Sequence, residues 1–131
     1  MFIKLYFLAL TIFLAIDSLW LLFISKSFYA KHLGFLMSKT PNLLAALIFY
    51  LIFIFGLLVL VLIPSLEKNS LSHAIIYAAI FGLCTYATYD LTNLATIQNW
   101  PLIITIVDLI WGTFISVAVS SLSFLISKWI F

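Results

Sequence analysis

Four long apolar runs separated by short polar breaks fill nearly all of this 131-residue chain. A helix needs roughly 20 mostly apolar residues to cross a bilayer's hydrocarbon layer, where every backbone polar group must find its partner within the protein. Applied to the runs, this length rule places spans at about residues 2–25, 42–63, 72–96 and 101–127. The expected fold is all-α: a four-helix transmembrane bundle forming a single multi-pass integral membrane domain over residues 1–131, in contact with lipid. The composition agrees, at 66% hydrophobic and 8% charged residues, with a mean hydropathy of +1.32.

The first run begins Met-Phe-Ile-Lys but contains Asp17 and lacks a small-x-small cleavage site, so it is read as a retained helix rather than a signal peptide. Cys84 is the single cysteine; it allows no internal disulfide and is expected to be a packing residue. All six basic residues are lysines. Without arginine the chain lacks the rigid fork that grips phosphates and carboxylates, and nothing supports nucleic-acid binding. Lys26, Lys31 and Lys39 fall on one face of the membrane, and Lys4, Lys68 and Lys128 on the other. The positive-inside count is therefore tied.

Between the first two spans, Lys26 to Pro41 mixes Phe28, Tyr29, Leu33, Phe35, Leu36 and Met37 with three lysines and His32. This is the pattern of a short interfacial amphipathic segment, and His32 is a candidate lid residue over whatever lies below. The other breaks are short. Ser70 or Ser72 is suited to cap the third helix, and Pro101 suits the first turn of the fourth. His73 opens the third span, too far along the axis to serve a site near that span's other end. Trp100 and Trp129 fit interfacial aromatic belts.

Three aspartates, Asp17, Asp90 and Asp108, lie inside the spans. A carboxylate in hydrocarbon is costly, and such residues face a bundle interior, find partners and mark ion or substrate chemistry. With a rise of about 1.5 Å per residue, all three sit about 9 to 13 Å below the same membrane face, although the helices alternate in direction. A compact bundle would let them converge. Asp17-Ser18-Leu19-Trp20 and Asp108-Leu109-Ile110-Trp111 place a tryptophan one turn from each of two aspartates. On antiparallel helices Trp20 should stand nearer the membrane face and Trp111 deeper, bracketing the acidic layer, with each indole free to donate to the carboxylate opposite as a structural clasp.

In the third span Tyr86, Asp90 and Asn93 share a face, with Tyr89 beside them, while Thr85, Thr88, Thr92 and Thr96 can bond back to their own helix. In the fourth, Gly112, Ser116, Ser120, Ser123 and Ser127 form a small-residue stripe that seats the helix against a neighbour or against a second subunit, the latter giving a homodimer through this stripe. The candidate ligand-binding set is Asp17, Trp20, Tyr86, Tyr89, Asp90, Asn93, Asp108 and Trp111. No metal site, cofactor or catalytic residue is assigned.

The words Asp17-Ser-Leu-Trp20, Phe28-Tyr29 with Leu33-Gly34, Pro41-Asn42, Tyr86-Ala-Thr-Tyr-Asp-Leu-Thr-Asn93, Trp100-Pro101 and Asp108-Leu-Ile-Trp-Gly112 together resemble a family of small bacterial inner-membrane proteins of unknown function. The resemblance covers nearly the whole chain. It implies a four-helix protein of the bacterial inner membrane and supplies no activity, although the genes of such proteins often accompany lipid-modifying enzymes. Two function classes follow. One is a protein that binds or transports a small cation, proton or amphiphilic molecule at the acidic layer. The other is an intramembrane enzyme using two carboxylates as acid and base on a lipid, for which the sequence offers no nucleophile, zinc cluster or phosphate cradle. A structural partner subunit, its polar layer fixing helix register, is the third alternative.

Overall fold

A computed structural model describes residues 1–131. The chain is helical throughout, with four helices long and apolar enough to cross a membrane: α1 (Phe2–Leu33), α2 (Leu43–Glu67), α3 (Leu71–Thr96) and α4 (Leu102–Ile130). Polar side chains cap two of them. Asn42 accepts from the backbone N–H of Ala45 at 3.1 Å and Ser70 from that of His73 at 3.1 Å, each satisfying a donor that a helix start leaves free. The two tight links turn on Asn69 (φ 50°) and Asn99 (φ 65°), in the left-handed region that asparagine tolerates better than most residues.

At one end the bundle is closed. Leu5 and Ala9 of α1, Leu57, Leu58, Val61 and Leu62 of α2, Ala74 and Ala78 of α3, and Val119 and Phe124 of α4 form one buried cluster. In a bilayer the lipid is as apolar as these side chains, so helices associate through close fit, which small residues permit. Ala74 and Ala78 continue along α3 the ridge of Gly82, which meets α4, and α2 makes a π-helical turn within this cluster (Leu58–Leu62). At the link between α2 and α3, Ser65 Oγ lies 2.8 Å from His73 Nδ1, and the His73 ring stacks on Tyr77.

The most extensive pairing is α3 with α4. A Cβ on Gly82 would collide with the Gly112 carbonyl and the Ser116 side chain, and one on Gly112 would collide with the Tyr86 ring. Gly112, Ser116, Ser120, Ser123 and Ser127 are all buried within the chain. This corrects the expected homodimer contact: the stripe seats α4 against its own neighbours and presents no surface to a second copy. Cys84, expected in packing, is exposed instead.

At the other end the helices part. From Leu43 to Gly56, α2 buries only Phe53 and Ile54. Its upper ties to α3 are ring contacts of Phe53 with Phe81 (centroids 5.3 Å apart) and Tyr86 (6.1 Å). Above them α2 and α3 diverge.

The first helix runs eight residues past the expected span. It passes without interruption through a π-helical turn, Leu21–Ser25, into Lys26–Leu33, so the first part of the segment read as interfacial continues the spanning helix. Along a straight helix Asp17 and Leu33 are about 24 Å apart, whereas Trp111 and Ile104 are only about 10 Å apart. Yet Asp17 meets Trp111, and Leu33 clusters with Ile104 and Trp100. Helix α1 must therefore lean across the mouth of the bundle.

Candidate functional site: an acidic and aromatic cavity

The splayed end encloses a cavity of about 680 Å³. Asp17, Asp90 and Asp108 all line it, together with Trp20, Trp111, Tyr86 and Tyr89. Asn93 does not. It lies most of a turn beyond Asp90 toward the helix end, and of the stripe Tyr86, Asp90 and Asn93 only the first two reach the cavity. The threonines of α3 do bond back to their own helix, Thr85 to the Phe81 carbonyl at 2.8 Å and Thr88 to that of Cys84 at 2.6 Å.

The carboxyl groups share a wall without forming one cluster. No three histidine, cysteine or acidic side chains are close enough together to hold a metal ion, so the expected convergence is only partial. Each aspartate has its own surroundings. Asp17 accepts from the Tyr50 hydroxyl at 3.1 Å and, at 3.4 Å, from the Trp111 indole. Asp108 accepts from the Tyr29 hydroxyl. Asp90 is 0% exposed, and no donor of the protein reaches either of its carboxyl oxygens.

The clasp therefore differs from the sequence expectation. The Trp111 to Asp17 half is present, but Trp20 donates to no carboxylate. It stacks on Trp111 with ring centroids 4.2 Å apart and planes within 10°, so the two indoles lie side by side and do not bracket the layer. The cause is the tilt of helical side chains toward the N-terminus of their own helix. On antiparallel α1 and α4 that tilt lowers the Trp20 ring and raises the Trp111 ring until they meet.

Four aromatic residues outside the expected set also line the walls: Tyr29, Phe49, Tyr50 and Trp100. Tyr50 carries the one hydroxyl in the α2 run from Leu43 to Ile63, and a buried phenol seeks a partner; this signal was present in the sequence. Tyr29 reaches Asp108 because α1 continues and leans. His32 does not line the cavity and packs its ring on Phe28, 4.7 Å between centroids; the residue over the acidic layer is Tyr29. Trp100 is 8% exposed, covered by Leu33 and Ile104, and so does not belong to an interfacial belt. Its indole donates to Thr105 Oγ1 at 3.1 Å, and Thr105 in turn donates to the Asp90 backbone carbonyl at 3.3 Å. That relay pins the start of α4 to the turn of α3 that carries Asp90. Trp129 is 87% exposed.

No lysine or histidine lines the cavity, and the chain has no arginine. Chemically, the arrangement is a chamber of carboxyl groups, phenol and indole donors and aromatic faces without an internal cation.

The chain belongs to the family described as predicted membrane protein (DUF2177), whose model matches residues 2–125. No curated protein and no solved structure matches it.

Proposed function

We propose that this member of the DUF2177 family is a multi-pass protein of the bacterial inner membrane that binds, and carries across or within the bilayer, a positively charged small molecule or ion at the acidic and aromatic cavity. The observation that carries this reading is Asp90. A buried carboxyl left without a donor costs about 1–3 kcal/mol or more, and a chain gains nothing structural by keeping one. Asp17 and Asp108 have hydroxyl or indole partners and can be understood as fastenings between helices. Asp90 cannot, because it fastens to nothing. An intramembrane acid of this kind is by default a functional group whose partner comes from outside the protein. The cavity beside it falls in the range of about 300–1,000 Å³ common among small-molecule sites.

The reading is tested by purifying wild type and the Asp17→Asn, Asp90→Asn and Asp108→Asn variants, recording thermal unfolding, and recording retained adducts by native mass spectrometry. Asp90→Asn should melt at or above the wild-type temperature and lose a cationic adduct. If instead Asp90→Asn is the least stable of the three and retains every adduct, the polar layer is structural and the proposal fails.

A further inference from the structure

We infer that the occupant of the cavity is a lipophilic organic cation without a phosphate, an ammonium or other onium ion bearing apolar groups, which enters sideways from the hydrocarbon between α2 and α3. This rests on the reading of the cavity as a cation site and names the class of cation.

An inorganic ion is the poorer fit. A hard cation asks for several oxygens at about 2–2.6 Å on one centre, carboxylates prominent among them, and no three acidic, histidine or cysteine side chains here are grouped closely enough to hold one. The carboxyl groups instead stand apart around a space of about 680 Å³. Charge spread over a large, weakly hydrated ion suits that separation.

The walls point the same way. The stacked pair Trp20 and Trp111, with Tyr86, Tyr89 and Trp100, presents aromatic faces and edges around the unpartnered Asp90. Aromatic faces attract onium ions through the ring quadrupole, most strongly once water is excluded. Such an ion needs no hydrogen bond from the site, which agrees with a carboxyl group buried behind rings. A phosphate-bearing head would meet three carboxyl groups and no lysine, arginine or histidine, so zwitterionic phospholipids are disfavoured by charge.

The route follows from the packing. Above the Phe53–Phe81 contact the lining residues on the facing helices are exposed, Phe49 at 45% and Tyr89 at 59%. Phe49 lies about 9 Å along α2 from its start, well inside a helix apolar enough to cross a membrane. A water-soluble ion has no reason to arrive there; an amphiphilic cation does.

The test uses the full-length chain in nanodiscs of phosphatidylglycerol, with two probes of nearly equal size and opposite charge, tetraphenylphosphonium and tetraphenylborate, read by tryptophan fluorescence and calorimetry. Saturable binding of the phosphonium alone is expected, weakened at least about tenfold in Asp90→Asn by loss of the buried opposite charge. In Trp20→Leu it should weaken about three- to tenfold through loss of an aromatic face. Unfolding temperatures of both variants confirm that they are folded, and Tyr89→Leu, at an exposed position, serves should Trp20→Leu not fold. Equal binding of both probes, or phosphonium binding indifferent to Asp90, overturns the inference. Sodium, calcium and magnesium are titrated in parallel. Binding of one of these through Asp90, with no phosphonium binding, overturns the organic-cation class and leaves the cation-site reading standing, whereas no Asp90-dependent binding of any cation overturns both. Nanodiscs of phosphatidylethanolamine separate the sources: abolition of phosphonium binding there would make the occupant a phospholipid head and overturn the phosphate-free assignment.

Discussion

At the end of the bundle that holds Leu58, Ala78 and Val119, four helices meet in an apolar cluster with these side chains fully buried. At the other end the same four helices surround three aspartates, two stacked indoles and a cavity. The first region is held by shape, since hydrocarbon solvent removes most of the hydrophobic incentive to pack. The second is held by a few directed bonds: Tyr50 and Trp111 to Asp17, Tyr29 to Asp108, Trp100 through Thr105 to the Asp90 backbone. The contrast teaches how a small membrane protein keeps an unpartnered carboxyl group. A tight end, closely packed by apolar and small side chains, fixes the helices, and the bonded aspartates hold the loose end open at a fixed width.

The contrast breaks most severely where α3 and α4 cross. Gly82→Val, placing a branched side chain into the Gly112 carbonyl and Ser116, should destabilise by about 3 kcal/mol or more, as overpacking of a close contact does. Reversible unfolding in mixed micelles would check this. In the closed end Leu58→Ala should cost about 2 kcal/mol, near the lower limit for such truncations because the transfer contribution is small in lipid; an equal loss from truncating lipid-facing Leu60, 61% exposed, would contradict the packing argument. In the open end Tyr50→Phe and Tyr29→Phe should each cost about 1–2 kcal/mol by depriving Asp17 or Asp108 of a donor, and Tyr50→Phe should lose much of its effect when combined with Asp17→Asn in a double-mutant cycle. The smallest effect belongs to Asp90→Asn, within about 1 kcal/mol of wild type and on the stabilising side, because no bond is removed and a buried charge-bearing group is.

The spans were legible because bilayer thickness dictates their length, and the three aspartates because hydrocarbon makes them conspicuous. The ends of the helices were less so. Phe28, Tyr29 and Leu33 alternate with lysines in a way that suits a helix lying on the membrane as well as one leaning over a bundle, and nothing in Leu21-Leu-Phe-Ile-Ser25 announces the π-helical turn that leads into Lys26–Leu33. Tyr29 reaches the cavity only through that lean, and Trp100 is turned inward by its bond to Thr105, so both escaped a reading by depth and periodicity. The stacking of Trp20 on Trp111 was hidden for a different reason: axial arithmetic places Cα atoms, whereas the rings sit toward each helix's N-terminus. The serine stripe was seen, but a small-residue stripe specifies close approach without saying to which helix, and here the neighbour is internal.

The most direct test of the central claim, that Asp90 is kept without a partner in order to meet a cation, is the unfolding temperature of wild type and Asp90→Asn as tetraphenylphosphonium is added. A ligand that binds only the folded protein raises its stability by RT ln(1 + [L]/Kd). The wild type should start no higher than the variant and then rise with the cation, while the variant stays level. A variant that starts well below wild type, with both proteins responding alike or neither responding, would contradict it.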